Sequence, residues 1–219
     1  MKNVKGWYLP DGDTHFQSML KKVNDEFTYQ QSHRDFVLNY VDKFDVAIDV
    51  GANVGFWSKD FCRKFKSVWA FEPINDVIEC YKKNMASFNN WHLEEVGLSN
   101  KQGENIKIYK GIENSGGSSL VEGFESASNQ FQYIDVKKLD DYINDFTTVD
   151  LIKVDIQGSE QAFLNGAIDF LQKFNPTLSL ELPIKTSKEI NYYNHTKKFL
   201  EDIGYKELGR HKKDTVFKK

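Results

Sequence analysis

Residues 46–55 read VAIDVGANVG, a short apolar run that ends in an acid and breaks at once into a glycine-bearing turn. A run of that length and composition is a buried strand feeding a tight connection. Trp57, Phe61 and Phe65 follow at four-residue intervals, the stripe of a helix with one apolar face. The unit then returns along the chain. SVWAF (67–71) precedes Val77, Ile78, Tyr81, Met85 and Phe88 at helical spacing, and a weaker strand is expected around 93–96. DLIKVD (150–155) precedes a helix from about Ser159, with Ala162, Phe163, Ala167, Ile168 and Leu171 inward. TLSLEL (177–182) precedes a helix carrying Ile190, Tyr193, Phe199, Leu200 and Ile203, stopped by Gly204. Strands and helices in alternation dictate a parallel sheet covered on both faces, and the tail, with short strands at 205–208 and 215–217, closes it as a hairpin. Such open sheets bind ligands at the carboxyl ends of their strands.

The 219 residues suit one domain, and 40% hydrophobic with 14% aromatic residues supplies a core. Twenty-nine basic against 32 acidic residues leave a formal charge of −3, which gives no general field for a nucleic-acid coat or a polybasic membrane binder. The longest apolar stretch is Val68 to Phe71, and MKNVKGWYLPDGD lacks a signal-peptide core, so a soluble cytoplasmic protein with no membrane partner is expected. Cys62 and Cys80 form no disulfide framework and read as buried reduced thiols. His15, His33, His92, His195 and His211 share no ligand spacing, so no metal is expected.

The sharpest signal is Asp49-Val50-Gly51-Ala52-Asn53-Val54-Gly55, with Glu72 seventeen residues past Gly55 at the end of the next strand. An acid about 20 residues beyond such a turn is placed to accept bonds from ribose hydroxyls. The dinucleotide pattern needs glycine where Asn53 and Phe56 stand. A pyrophosphate also wants bare amides with no anion nearby, whereas Asp49 suits a ligand carrying ammonium or sulfonium. S-adenosylmethionine has both cations and no phosphate.

DVGANVGFWS, FEPI and LIKVDIQGSE resemble the successive signatures of the FkbM-type class I methyltransferases, from roughly residue 44 to the C-terminus. VGLSNKQGE and ENSGGSSL are similar to the family's middle segment. The resemblance implies a Rossmann-like domain, residues 44–219, with a mostly parallel seven-stranded sheet, helices on both faces and a C-terminal antiparallel hairpin. Residues 1–43 are expected as a helical extension covering the cofactor side. It further implies methyl transfer from S-adenosylmethionine, commonly to a hydroxyl of a sugar or other small molecule. Carried over, Asp49, Gly51, Ala52, Asn53 and Gly55 line the methionine end, with Phe56 and Pro73 beside them. Glu72 grips the ribose, and Gly97, Leu98 and Ser99 meet the adenine. Gln157 stands where the family usually has Glu.

Methyl transfer needs placement above all, and a hydroxyl acceptor also needs a base. Asp155 leads the candidates, opening beside the methyl and the cofactor; Glu181 and Glu160 follow. Helix capping is the plain alternative for Asp155 and Glu160. Lys153 sits mid-strand with a stem long enough to reach the surface. The loop 114–119 suits a gate or an ordinary surface loop. Two rivals remain: a nucleic-acid methyltransferase, disfavoured by the charge and by the lack of adjacent prolines, and a binding module that has lost catalysis.

Overall fold

The computed structural model describes residues 1–123 and 128–219. The first 43 residues hold two short antiparallel hairpins, β1 (Lys2–Val4) with β2 (Trp7–Leu9) and β3 (Lys21–Val23) with β4 (Glu26–Thr28). Between them lies α1 (His15–Met19), and after them α2 (Gln31–Leu38). The segment expected to be helical is therefore mixed. Its hairpins are made by Lys5-Gly6 and Asn24-Asp25, all four at positive φ, the backbone that a two-residue hairpin turn requires.

The alternation then begins with β5 (Val46–Val50), α3 (Phe56–Cys62), β6 (Ser67–Phe71), α4 (Asn75–Asn84) and β7 (Trp91–Glu94). A side excursion follows of β8 (Gly97–Leu98), β9 (Gly103–Tyr109) and β10 (Phe131–Lys137), which form their own sheet in the order β8-β10-β9. The main path resumes with β11 (Leu151–Val154), α5 (Glu160–Asn165), α6 (Ile168–Phe174), β12 (Thr177–Glu181), α7 (Ser187–Asp202), β13 (Lys206–His211) and β14 (Asp214–Lys218). The main sheet has seven strands in the order β13-β14-β12-β11-β5-β6-β7. β12, β11, β5, β6 and β7 are mutually parallel, and β14 and β13 pair antiparallel at the edge. This is the seven-stranded, mostly parallel sheet with a closing hairpin that the sequence implies.

Apolar side chains divide by the two-residue period of the strands: along β5, Ala47 joins the cluster on one face, Ile48 and Val50 the cluster on the other. Three local expectations are corrected. The single helix after Ser159 is two, broken at Gly166, where a Cβ would overlap the Ser99 carbonyl oxygen. Ile190, expected on the apolar face, is 42% exposed, whereas α7 buries Leu200 of that face and adds Thr196. The polar stretch GRHKKD is mostly strand, with the turn reduced to Lys212-Lys213.

The N-terminal hairpins are pinned to the sheet layer by one side chain. Arg34, fully buried, donates from Nε to Asp60 Oδ2 on α3 at 2.6 Å and from Nη2 to Thr28 Oγ1 at 2.6 Å, while its Nη1 donates to the Tyr29 carbonyl. Truncating it empties a buried volume and strands the Tyr29 carbonyl, but Asp60 keeps Arg63 at 3.1 Å. Arg34→Ala is therefore expected to cost about 3 kcal/mol, the low end for breaking a buried pair, read as a lower urea midpoint with unchanged slope. A shift below about 0.5 kcal/mol, the size of a surface substitution, would show that the pin carries no load.

Candidate active site

At the carboxyl ends of β5, β6 and β11 the sheet opens into a cleft whose free space, mouth included, is about 870 Å³. Its base is the turn after β5. Gly51 sits at φ +73°, and a Cβ there would overlap the Asp155 carbonyl oxygen, so only glycine lets this turn lie against the end of β11. Gly51 and Ala52 both donate backbone N–H to the Phe71 carbonyl, tying the turn to β6. Asn53, at φ +49°, continues the turn, and Gly55, at φ +95°, precedes α3.

Glu72 stands at the end of β6. Its Oε2 accepts from Asn53 N at 2.9 Å and its Oε1 from Ile74 N at 3.0 Å, so two backbone amides aim the carboxylate while each oxygen keeps a free lone pair. Burial pushes its pKa up to about 7 against the pull of those amides and of Lys153. Val96, Gly97, Leu98 and Ile134 wall the cleft beyond it, with Pro73 at its rim. Over the top lie Phe16, Tyr29 and Gln30 from the N-terminal segment and Ser115, Gly116 and Ser118 to Leu120 from the loop after β9. That loop is anchored: Ser115 N donates to the buried Asp13 Oδ2 at 2.9 Å and Ser119 Oγ to the Gln157 carbonyl at 2.7 Å.

The acids of the strand ends divide. Asp155 lines the cleft, receives Gln157 Nε2 at 2.6 Å, and is raised to about 7 by burial and by the neighbouring Glu181, with Lys153 opposing. Glu181, 8% exposed, lies outside the cleft lining and accepts Lys213 Nζ at 2.9 Å. Glu160 is turned back on its own helix start: it accepts the amides of Ile156 and Gly158 and the Tyr192 hydroxyl, and burial raises it to about 6. This is the capping geometry, and it holds the carboxylate away from the cleft.

Of the proposed cofactor residues, Gly51, Ala52, Asn53, Phe56, Glu72, Pro73, Gly97, Leu98 and Asp155 line one cleft. Asp49, Gly55 and Ser99 do not. Gly55 backs against Met85 and Tyr81, and Ser99 donates its amide to Lys137 and packs its carbonyl on Gly166. Asp49 is fully buried beneath the turn, accepting Ser58 Oγ at 2.6 Å and meeting Lys153 Nζ at 3.1 Å. Lys153 does not reach the surface: it is 4% exposed, lines the cleft, and donates to the Gly51 carbonyl at 3.0 Å. Sequence reading missed this partner and the roof residues Tyr29 and Gln30, whereas Phe16 lies in the segment 6–16 whose aromatic and acidic mix suits covering a ligand or packing an arm on the domain; the register that sets Lys153 beside Asp49 is visible only once β11 pairs with β5. Among the described residues no group of three His, Cys, Asp or Glu side chains could hold a metal ion, and no helix is long and apolar enough to cross a membrane.

A doubly covered sheet of this strand order with its cleft at the strand ends defines a class I methyltransferase fold. The methyltransferase FkbM domain model matches residues 49–207, and the chain belongs to that family. No curated protein matches the sequence. Among solved structures it is similar to methyltransferase FkbM from Methylobacillus flagellatus KT, at 19% identity and a TM-score of 0.55 over 80% of this chain. The match spans 44% of that longer protein. It is also similar to the fibrillarin pre-rRNA processing protein of Methanococcus jannaschii, at 13% identity and a TM-score of 0.51, over 90% of this chain and 80% of that one. At these identities the likeness is one of fold.

The raised carboxyls give the site a pH signature. Glu72 and Asp155 keep protons near pH 7 in the folded chain, whereas unfolded carboxyls release theirs near pH 4. Between those limits the folded state binds more protons, so their contribution is full below about pH 4 and is lost as pH rises through about 7. Urea midpoints should fall from pH 5 to pH 8, and the double substitution Glu72→Gln with Asp155→Asn should flatten that decline. An identical slope in the double variant would mean that both groups are ionised throughout.

Proposed function

We propose that the cleft binds S-adenosylmethionine and that the chain methylates a hydroxyl oxygen of a small molecule or sugar. The observation that carries the reading is Glu72, buried at the cleft wall and aimed by two backbone amides with a lone pair free on each oxygen. The lining chemistry fits the cofactor: its charged groups are Glu72, Asp155 and Lys153, and the lysine is already engaged by Asp49, which leaves a surplus of carboxylate for a cationic ligand. The glycine at 51 lets the turn pack against the Asp155 carbonyl, which brings the backbone of the turn and the end of β11 together at the cleft wall.

When bound, the cofactor supplies a methyl group on a positively charged sulfur, open to in-line attack. Glu72 would hold the ribose hydroxyls, Gly97 and Leu98 would flank the adenine, and the turn Gly51 to Asn53 would hold the methionine end. Asp155 would take the hydroxyl proton, its pKa near 7 matching the base to neutral pH. Residues 1–43 would act as the cover of the methyltransferase domain 44–219, a role supported by Phe16, Tyr29 and Gln30 in the roof. Enclosure keeps water from the methyl and keeps acceptor and methyl within attack range.

Calorimetric titration with S-adenosylmethionine, S-adenosylhomocysteine and NAD tests the reading. Micromolar binding of the first two is expected, weakened at least tenfold by Glu72→Ala. Asp155→Asn should leave that affinity within about twofold and lower turnover by roughly 10²–10⁴. Binding of NAD alone, or wild-type affinity in Glu72→Ala, would sink it.

A further inference from the structure

Tyr29 and Gln30 line the cofactor cleft on one side and a second groove on the other, so the two cavities share a ridge two residues wide. The ridge is held in place. Gln30 stands at φ +57° with its Oε1 accepting Trp57 Nε1 at 3.0 Å, and the Tyr29 carbonyl accepts the buried Arg34. The groove behind it has about 1590 Å³ of free space, mouth included. Its floor carries two exposed apolar side chains, Met19 at 41% and Ile184 at 44%.

The charges of the groove run against those of the chain. In a protein of net charge −3, the lining lysines are Lys21, Lys185, Lys212 and Lys213, and Asp35 is the acid among them. They come from three separate places: β3, the connection from β12 to α7, and the turn between β13 and β14. Lys213 is engaged by Glu181, whereas Lys21, Lys185 and Lys212 make no salt bridge among the described residues, although the Glu189 carboxylate, which accepts the Lys185 amide at 2.7 Å, lies beside Lys185. His33, also in the lining, has its Nδ1 committed to Asp214. Exposed lysines ordinarily spread apart into solvent; several converging on one concave, partly apolar wall focus a positive field on whatever enters. The groove also lies next to the proposed chemistry, since Lys213 bonds Glu181, and Glu181 is near enough to Asp155 to raise it.

From this arrangement we infer that the groove is the acceptor subsite of the proposed methyl transfer and takes a hydroxylated organic anion. Lys21, Lys185 and Lys212 hold its carboxylate or phosphate, Met19 and Ile184 carry its apolar part, and its hydroxyl crosses the ridge toward Asp155. In the transfer the hydroxyl oxygen forms the new carbon–oxygen bond as the donor carbon–sulfur bond breaks. Sulfur keeps that electron pair, and the hydroxyl proton passes to Asp155. The inference rests on the methyltransferase reading above for the reaction, but the anion site can be measured without it.

The test is a binding measurement on the full chain, by amide chemical shifts of the labelled protein. The anionic probes are inorganic phosphate, D-glucuronate and 4-hydroxybenzoate; D-glucose and 4-hydroxybenzamide are the neutral partners of the last two. At least one anion should shift the amides of Lys21, Lys185 and Lys212 and bind at least tenfold tighter than its neutral partner; for phosphate alone, a shift confined to the groove suffices. The double variant Lys21→Glu with Lys185→Glu should lose that affinity at least tenfold while binding S-adenosylhomocysteine as the wild type does. Added salt should weaken the anion and leave the neutral compounds unchanged. Equal binding of anion and neutral partner, anion binding unmoved by the charge reversal, or no anion binding at millimolar concentration would each overturn the proposal. Absence of S-adenosylhomocysteine binding would instead count against the methyl-donor cleft, because the two ligands are titrated separately.

Discussion

A lysine and an aspartate in the middle of the sheet hold the glycine turn at the base of the cleft. Lys153 on β11 lies in register with Asp49 on β5, and the two side chains meet at 3.1 Å with almost no exposure. Two charges taken out of water are costly, and their attraction offsets that cost only when further hydrogen bonds complete their shells. Here they do. Lys153 also donates to the Gly51 carbonyl, and Asp49 accepts Ser58 from the first turn of α3. Burial alone would depress the lysine, but Asp49 and, more remotely, Asp155 and Glu181 raise it overall. One ion pair thus joins two strands, the glycine turn and the helix that follows, which sets where the cleft begins.

That pair also redistributes the charge expected of the site. As a bare anion, Asp49 would face a cationic ligand directly. With its charge answered by Lys153, the turn presents backbone to the cleft, and the open carboxylates are Glu72 and Asp155. Both are raised to about 7, so each sits where a small change in surroundings moves its proton. For Glu72 the two amides that aim it also moderate the shift; for Asp155 the neighbouring Glu181 increases it.

What the sequence reveals follows from how local each feature is. The strand–turn–helix around Gly51 and the acid at Glu72 are written in contiguous residues, and both lie where the pattern puts them. The parallel sheet and its terminal hairpin follow from hydrophobic period alone. Lys153 is different, because its meaning depends on a partner 104 residues away that β-pairing brings alongside. The hairpins of residues 1–28 were hidden for another reason: their turns use Lys5 and Asn24-Asp25 at positive φ, where only Gly6 advertises the turn. Ser99 and Gly55 run the other way, since each belongs to a motif of the cleft and packs behind its lining.

The N-terminal segment is joined to the rest of the molecule. It reaches the sheet through Arg34 and α3, and its Tyr29–Gln30 ridge separates a cleft with a surplus of carboxylate from a groove with a surplus of lysine. Charges of opposite sign a few residues apart would ordinarily collapse into surface pairs; here Lys213 of the groove is answered by Glu181, which neighbours Asp155 without lining the cleft. A cationic donor and an anionic acceptor would each be drawn to its own side and repelled from the other, so charge would order the two ligands before any close contact forms. Under the proposed reading the ridge sets the path between them, and its anchors, Arg34 on the Tyr29 carbonyl and Trp57 on Gln30, would make residues 1–43 part of the site.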